Sequence, residues 1–226
     1  MGIVCSGVED TLLHQLHSYW SMVDDEIILS VVPDTLDAIC QNYEGMPNMR
    51  FLDGKDVHFS PFMSVQWMNF LYRISNALYK KYGNCESADQ VYYLNKIMHS
   101  NDWFYAVDLP THFHCEHPLG SVLGRATYGD YFFVYQGTTV GGNRSKGILS
   151  YPRIGNNVIL FANATVLGNT VIGNNVVISA GAQIINGTIP DNCIVFGESP
   201  DLVIKKKSEA EIKKYTQHIW GWEIEA

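Results

Sequence analysis

Residues 154–190 read IGNNVILFANATVLGNTVIGNNVVISAGAQIINGTIP. Large apolar residues recur at every sixth position: Ile154, Leu160, Val166, Ile172, Ile178 and Ile184, with the same phase reaching Pro190 and Phe196. Three positions after each of the first six stands Asn157, Asn163, Asn169, Asn175, Gly181 or Gly187. Asn and Gly are the residues that most readily accept a left-handed backbone. Four positions after the large residues come Val158, Ala164, Thr170, Val176, Ala182, Thr188 and Ile194, mostly small or β-branched. A helix cannot hold a period of six on one face. A chain that turns a corner every six residues can. Each short strand points a large residue inward, each corner takes Asn or Gly, and three strands close a triangular coil. Stacked coils bury a continuous core. The pattern predicts a left-handed parallel β-helix, an exception to the usual right-handed crossover.

Outward from this stretch the same phase runs earlier, through Pro110, Glu116, Val122, Tyr128, Val134 and Val140, with less regularity. Between Val140 and Ile154 the spacing overshoots two repeats, so GGNRSKGILSYPR (141–153) is expected as a loop thrown out of the coil. Loops that interrupt a solenoid commonly carry function. After Phe196 the segment GESPDLVIKKKS closes the coil. Ser208 followed by Glu211 is a capping-box pattern that predicts a helix from about Glu209 to Ile219.

The first half has a different rhythm. LLHQLHSYW and LDAICQNY place apolar residues three and four apart, with Pro33, Gly45 and Pro47 as punctuation. SPFMSVQWMNFLYRISNALYKKY (60–82) reads as one long helix, with Ser60 as its cap, Pro61 in its first turn and Gly83 at its end. A further helix is expected from Ala88 to Ser100. The fold class is therefore α+β. An N-terminal helical domain spans residues 1–106, a β-helix spans 107–204 with its loop at 141–153, and a basic segment and helix occupy 205–226.

Composition limits the function. The chain has 226 residues and a net charge of -8, which argues against a nucleic-acid partner. Five dispersed cysteines without a C-x-x-C pair fit reduced thiols and a cytoplasmic location. No apolar run reaches the ~20 residues of a membrane helix. MGIVCSGVED has no basic leader and matches a myristoylation pattern only weakly, an ordinary start being the simpler reading.

Several segments resemble serine acetyltransferases of the hexapeptide-repeat acyltransferase superfamily. They are FLYRISNALYKK (70–81), AVDLP (106–110), CEHPLGSVLG (115–124), YQGTTVGGN (135–143) and YPRIG (151–155), in the family's order, within a resemblance that covers roughly residues 65–207. The repeat is specific for fold and loose for function; the order of the other segments is more specific. The resemblance implies an acetyl-CoA-dependent O-acetyltransferase that acts as a homotrimer, or as a hexamer where the N-terminal helices pair trimers. By the family's pattern His117 is the general base, since an imidazole can take the proton of an attacking hydroxyl. Asp108 is its orienting carboxylate, and nine residues of separation would let the two meet across one turn of coil. Glu116 replaces a substrate-contacting Asp. Coenzyme A would lie along Gly141, Gly142, Ala162 and Ala180, with Lys205, Lys206 and Lys207 at its phosphates. Where the family holds the acceptor carboxylate with an Arg-His pair, this chain has Ser150 and Tyr151. A hydroxyl cannot replace a guanidinium fork. Arg144, Lys146 or Arg153 would have to compensate, or the acceptor is another small hydroxyl-bearing molecule such as a sugar, a nucleotide sugar or a modified amino acid.

Three other readings compete. One is N-acetyl transfer to an amino sugar. Another is a non-catalytic β-helix used for assembly, with His117 a surface residue on a turn. The third is a metal site built from His112, His114, Cys115 and His117, which are suitable donors. A strand turns alternate side chains opposite ways, so one short segment rarely closes a tetrahedral site. No metal is expected, and His112 and His114 are expected as packing or edge-of-site residues.

Overall fold

The computed structural model describes residues 2–44, 46, 52–53 and 56–221; Gly45 and Pro47, expected as breaks, lie outside them. The described residues divide into two compact units, one running to Ala106 and one from Val107 onward, with Met46 counted in the second.

The first unit holds five helices: α1 (Val8–Tyr19), α2 (Asp25–Leu29), α3 (Val32–Asn42), α4 (Ser64–Tyr82) and α5 (Glu86–His99). Trp67 and Phe70 of α4 stack at 5.1 Å with Phe59 against both, and the Trp67 indole donates to Gln15 Oε1 at 2.9 Å. Burial of such rings supplies roughly 1.5–3 kcal/mol each. Two expectations need correction. Ser60 does not cap α4, which starts at Ser64 with Met63 at its N-cap. Ser60 instead closes its own turn: its carbonyl accepts from Met63 N at 3.0 Å and its Oγ from Phe62 N at 3.2 Å. Proline at 61 suits such a turn as well as it suits a helix start. The unit is also not purely helical. Ile3–Val4 pairs in parallel with Val57–His58, and Leu52–Asp53 pairs antiparallel to Asp56–Val57.

The second unit is a three-sided parallel β-helix. One face stacks strands Phe113–Cys115, Phe132–Val134, Val158–Leu160, Val176–Ile178 and Cys193–Phe196. A second stacks Val122–Leu123, Thr139–Gly141, Thr165–Leu167 and Gln183–Ile185. A third stacks Thr127–Tyr128, Arg153–Ile154, Val171–Ile172 and Thr188–Ile189. Ile154, Leu160, Val166, Ile172, Ile178 and Ile184 all point inward and are buried. Asn157, Asn163, Asn175 and Gly181 have φ between 51° and 72°, as the corners require. Amide ladders join them: Asn157 Nδ2 donates to Asn175 Oδ1, and Asn175 Nδ2 to Asn192 Oδ1, each at 3.0 Å.

The six-residue phase slips in two places. Past Ile184 one corner is a residue shorter, with Asn186 (φ 55°) rather than Gly187 in the left-handed position. Ile172 therefore pairs with Ile189, and Ile178 with Val195. Ile189 and Val195 are buried, whereas Pro190 and Phe196 are exposed. The corner after Leu167 likewise uses Gly168 (φ 71°) rather than Asn169. In the first coil Cys115 and Leu123 face the core, and Glu116 and Val122 face out. The 141–153 insertion is a β-hairpin, Asn143–Ser145 against Ile148–Ser150, turning at Lys146 (φ 49°) and Gly147 (φ 82°). Positive φ at both turn residues matches the twist of a two-residue hairpin.

After the last coil, Val203–Lys206 runs back antiparallel on Cys193–Phe196. The helix α6 (Glu209–Trp220) follows, and its Ser208/Glu211 capping box is formed as expected. Its Trp220 packs edge-on against Tyr131 and Phe133.

Two histidines are buried as neutral rings. His99 of α5 contacts Asn95 Oδ1 at 2.9 Å, and His114 lies edge-on to Phe133. Desolvation holds both down at about 4. An unfolded imidazole titrates near ~6.5. The stability gained by keeping them neutral is thus whole above about pH 6.5 and lost as the pH falls towards 4, on the order of 3 kcal/mol per group at the limit. Thermal melts between pH 7.5 and 4.5 should show a steep fall in Tm below about pH 6.5 that flattens in a His99→Gln/His114→Phe variant. An unchanged slope in the variant would contradict this assignment.

Candidate active site

Strand register brings distant residues into vertical columns along the edge between the first and second faces of the coil. Cys115, Val134, Leu160, Ile178 and Val195 are successive partners. One residue on, Glu116, Tyr135, Phe161, Ser179 and Phe196 form a column. The next column is Leu119, Gln136, Ala162 and Ala180, because the first corner carries two extra residues, His117 and Pro118: Gly137 N donates to Leu119 O at 2.9 Å where Asn163 N donates to Gln136 O at 2.8 Å. Backbone bonds tie these levels together: Glu116 N to Val134 O at 3.1 Å, Tyr135 N to Leu160 O at 3.0 Å, Phe161 N to Ile178 O at 2.9 Å and Gly181 N to Ala162 O at 2.8 Å. Ala162 and Ala180, both singled out in the sequence, thus share one column, and His117 stands on the same edge, one residue past Glu116 in the longer first corner.

His117 has φ 49°, an uncommon conformation for a residue with a side chain. The turn is held on both sides. Leu119 N donates to His117 O at 2.8 Å, and the Ser121 hydroxyl donates to Pro118 O at 2.6 Å. The ring is 77% exposed, and its Nε2 lies 3.8 Å from Glu116 Oε1. Asp108 is exposed on the segment that leads into the coil. The carboxylate beside the imidazole is that of Glu116.

Two aromatic side chains stand directly along the coil from Glu116. Tyr135 stacks on Phe161 at 5.0 Å with an interplanar angle of 8°, and Tyr215 of α6 meets Phe161 edge-on at 6.3 Å. Burial, and then Glu116 as a charge and as a hydrogen-bond acceptor, push the Tyr135 phenol up to about 12. Sequence reasoning missed Tyr135, Phe161 and Tyr215. Spacing marks the first two, each one position past an inward residue, once Glu116 is taken as facing outward.

The remaining candidates occupy other positions. Gly141 ends the second-face strand, and its carbonyl accepts from Gly168 N at 3.0 Å. Gly142 lies under the Tyr151 ring and Leu149. A Cβ there would come within 2.9 Å of Tyr151 Cε1. Ser150 sits at the base of the hairpin with its Oγ 3.5 Å from Asn143 O. Arg144, a possible substitute clamp, donates to Gly147 O at 2.9 Å within its own hairpin. Arg153 is exposed on the third face. Lys205 and Lys206 lie on the strand that covers the last coil, and Lys205 Nζ sits 5.0 Å over the Phe196 ring. This places Lys205 at the far end of the edge that begins at Glu116 and His117.

The four donors of the metal reading do not converge. His112 pairs with Asp130 at 2.7 Å and stacks on Tyr131, Cys115 faces the core, and His114 is buried against Phe133. Among the described residues no group of three or more His, Cys, Asp or Glu side chains is arranged to hold a metal ion.

Residues 151–186 match the family model described as bacterial transferase hexapeptide (six repeats). A serine acetyltransferase of Synechococcus elongatus is 44% identical over 55 residues, which is 24% of this chain and 22% of that protein. The chain therefore matches about a fifth of the length of that curated relative. Among solved structures, a Neisseria gonorrhoeae serine acetyltransferase superposes with a TM-score of 0.65 at 23% identity, covering 93% of this chain and 84% of the other. A Brucella abortus serine acetyltransferase in complex with coenzyme A gives 0.65 at 19% identity, covering 89% and 83%. These likenesses show the fold: an N-terminal helical domain joined to a β-helix, on a chain that resembles serine acetyltransferases.

A left-handed conformation costs a non-glycine residue on the order of 1 kcal/mol or more. Histidine therefore sits at position 117 at some expense to stability. His117→Asn, which tolerates the same φ, should leave Tm unchanged or slightly raised. A clear fall in Tm would mean that the ring serves packing.

Proposed function

We propose that the chain is an acetyl-CoA-dependent O-acetyltransferase acting on a small acceptor hydroxyl. The reading takes the β-helix as left-handed and the enzyme as a cytoplasmic homotrimer, or a hexamer of paired trimers. The observation that carries it is the shared edge, which begins with an exposed imidazole beside a carboxylate and continues along the coil with small side chains.

In this reading His117 accepts the proton of the acceptor hydroxyl as its oxygen bonds to the acetyl carbonyl carbon. The thioester C–S bond then breaks, and the proton passes to the departing thiolate. A backbone N–H near Gly141 or Gly142 stabilises the oxyanion. Glu116 contacts the acceptor. Asp108 is taken as the carboxylate that orients the base, by its likeness to the family's lead-in Asp, while Glu116 is the one already near the ring. Ala162 and Ala180 leave room for the donor's pantetheine arm. From the level of His117 to that of Phe196 is four coil spacings, roughly 19 Å at ~4.8 Å each. That length suits an extended arm whose phosphates reach Lys205 and Lys206. With Ser150 and Tyr151 at the hairpin base and Arg144 turned onto Gly147, an acceptor without a carboxylate is favoured over free serine.

Thiol release from acetyl-CoA should be assayed with L-serine, simple sugars, nucleotide sugars and amino sugars. Turnover is expected with a hydroxyl acceptor and should fall by at least about 100-fold in His117→Ala. Full activity in that variant would overturn the mechanism. Turnover only with an amine would move the reading to N-acetyl transfer. The same assay separates the two carboxylates. Asp108→Asn should lower kcat, through the base, whereas Glu116→Gln should chiefly raise the acceptor KM. Ala162→Trp should block the donor, seen as loss of coenzyme A binding by calorimetry with Tm unchanged.

A further inference from the structure

Glu116 is more than half exposed, and an exposed glutamate left to itself samples many rotamers. A carboxylate that must meet one acceptor group needs something to hold it. The neighbour along the column is Tyr135, one coil away and bonded through the same strand register. Its ring cannot swing freely: Phe161 stacks on it at 5.0 Å, and Phe133 lies 5.1 Å away. Tyr215 from α6 closes the side of this stack against Phe161. The ring is thus fixed by packing, one level along the coil from the carboxylate. Burial first, and then Glu116 as a charge and as a hydrogen-bond acceptor, keep the phenol protonated, so that it remains a donor.

We propose that Tyr135 is the positioning residue for Glu116: its hydroxyl holds the carboxylate beside His117, where Glu116 receives a hydrogen-bond donor that the acceptor carries next to its reacting hydroxyl. This rests on the acetyl-transfer reading above. Tyr135 itself touches neither reacting group. Phe161 and Tyr215 act one step further out, by keeping the Tyr135 ring in place. Packing alone would be satisfied by phenylalanine at position 135, so the hydroxyl is the informative atom.

Tyr135→Phe preserves the stack and removes only that oxygen. The enzyme and its Tyr135→Phe, Glu116→Gln and double variants should be compared by steady-state kinetics with the best acceptor of the panel. A hydrogen bond to a charged group predicts that Tyr135→Phe raises the acceptor KM by about tenfold, with kcat changed by less than about threefold and the acetyl-CoA KM unaltered. The double variant should be no worse than Glu116→Gln alone, because the hydroxyl acts only through the carboxylate. An unchanged acceptor KM in Tyr135→Phe, or effects that multiply in the double variant, would overturn the positioning role and leave acetyl transfer standing. Wild-type protein that releases no thiol with any acceptor would overturn both.

Discussion

The backbone of this β-helix must pass through a left-handed conformation at its corners, and the rest of the second unit follows from that constraint. Asn and Gly meet it with the least strain. Where Asn is used, its amide also bonds the next coil, as in the run from Asn157 through Asn175 to Asn192. Corners that recur at a fixed interval stack the strands in register. Register turns residues a whole coil apart in sequence into neighbours about 4.8 Å apart. A functional surface on such a scaffold is accordingly a column, read along the coil axis rather than along the chain.

The candidate site uses this geometry economically. His117 and Glu116 sit at one end of an edge whose later levels carry Ala162 and Ala180 and whose far end carries Lys205 over Phe196. Each coil contributes one or two side chains, and the corner geometry aligns them. The same edge carries an aromatic column, Tyr135 on Phe161, that braces the carboxylate. Histidine in a left-handed turn, like Tyr131 (φ 59°) at the corner before Phe132, departs from the Asn and Gly used at most corners of the coil, and such local departures cluster where a protein does chemistry.

Much of the fold was legible because a period of six allows few alternatives. The inward residues from Ile154 to Ile184, the protruding 141–153 segment and the capping box at Ser208 all follow from spacing or local chemistry. The errors have physical causes as well. A corner can be built from two or three residues, so the phase slipped at Asn186, and Pro190 and Phe196 fell outside the core. The first coil starts with its own corner lengths, which put Glu116 outside rather than inside. That one-residue error hid Tyr135 and Phe161 as its neighbours. Ser60-Pro61 serves a turn and a helix start equally well, and only the tertiary setting chose the turn. Tyr215 could not be linked to the site at all, since nothing in sequence spacing tells where α6 packs.

Acetyl transfer at His117 requires the edge from His117 to Lys205 to be the donor channel. The most direct measurement is a crystal structure of the protein with coenzyme A bound. The pantetheine arm is expected beside Ala162 and Ala180, with the thiol end at His117 and the phosphates at Lys205 and Lys206. Coenzyme A bound on another face, or lying on this edge with its thiol remote from His117, would contradict it.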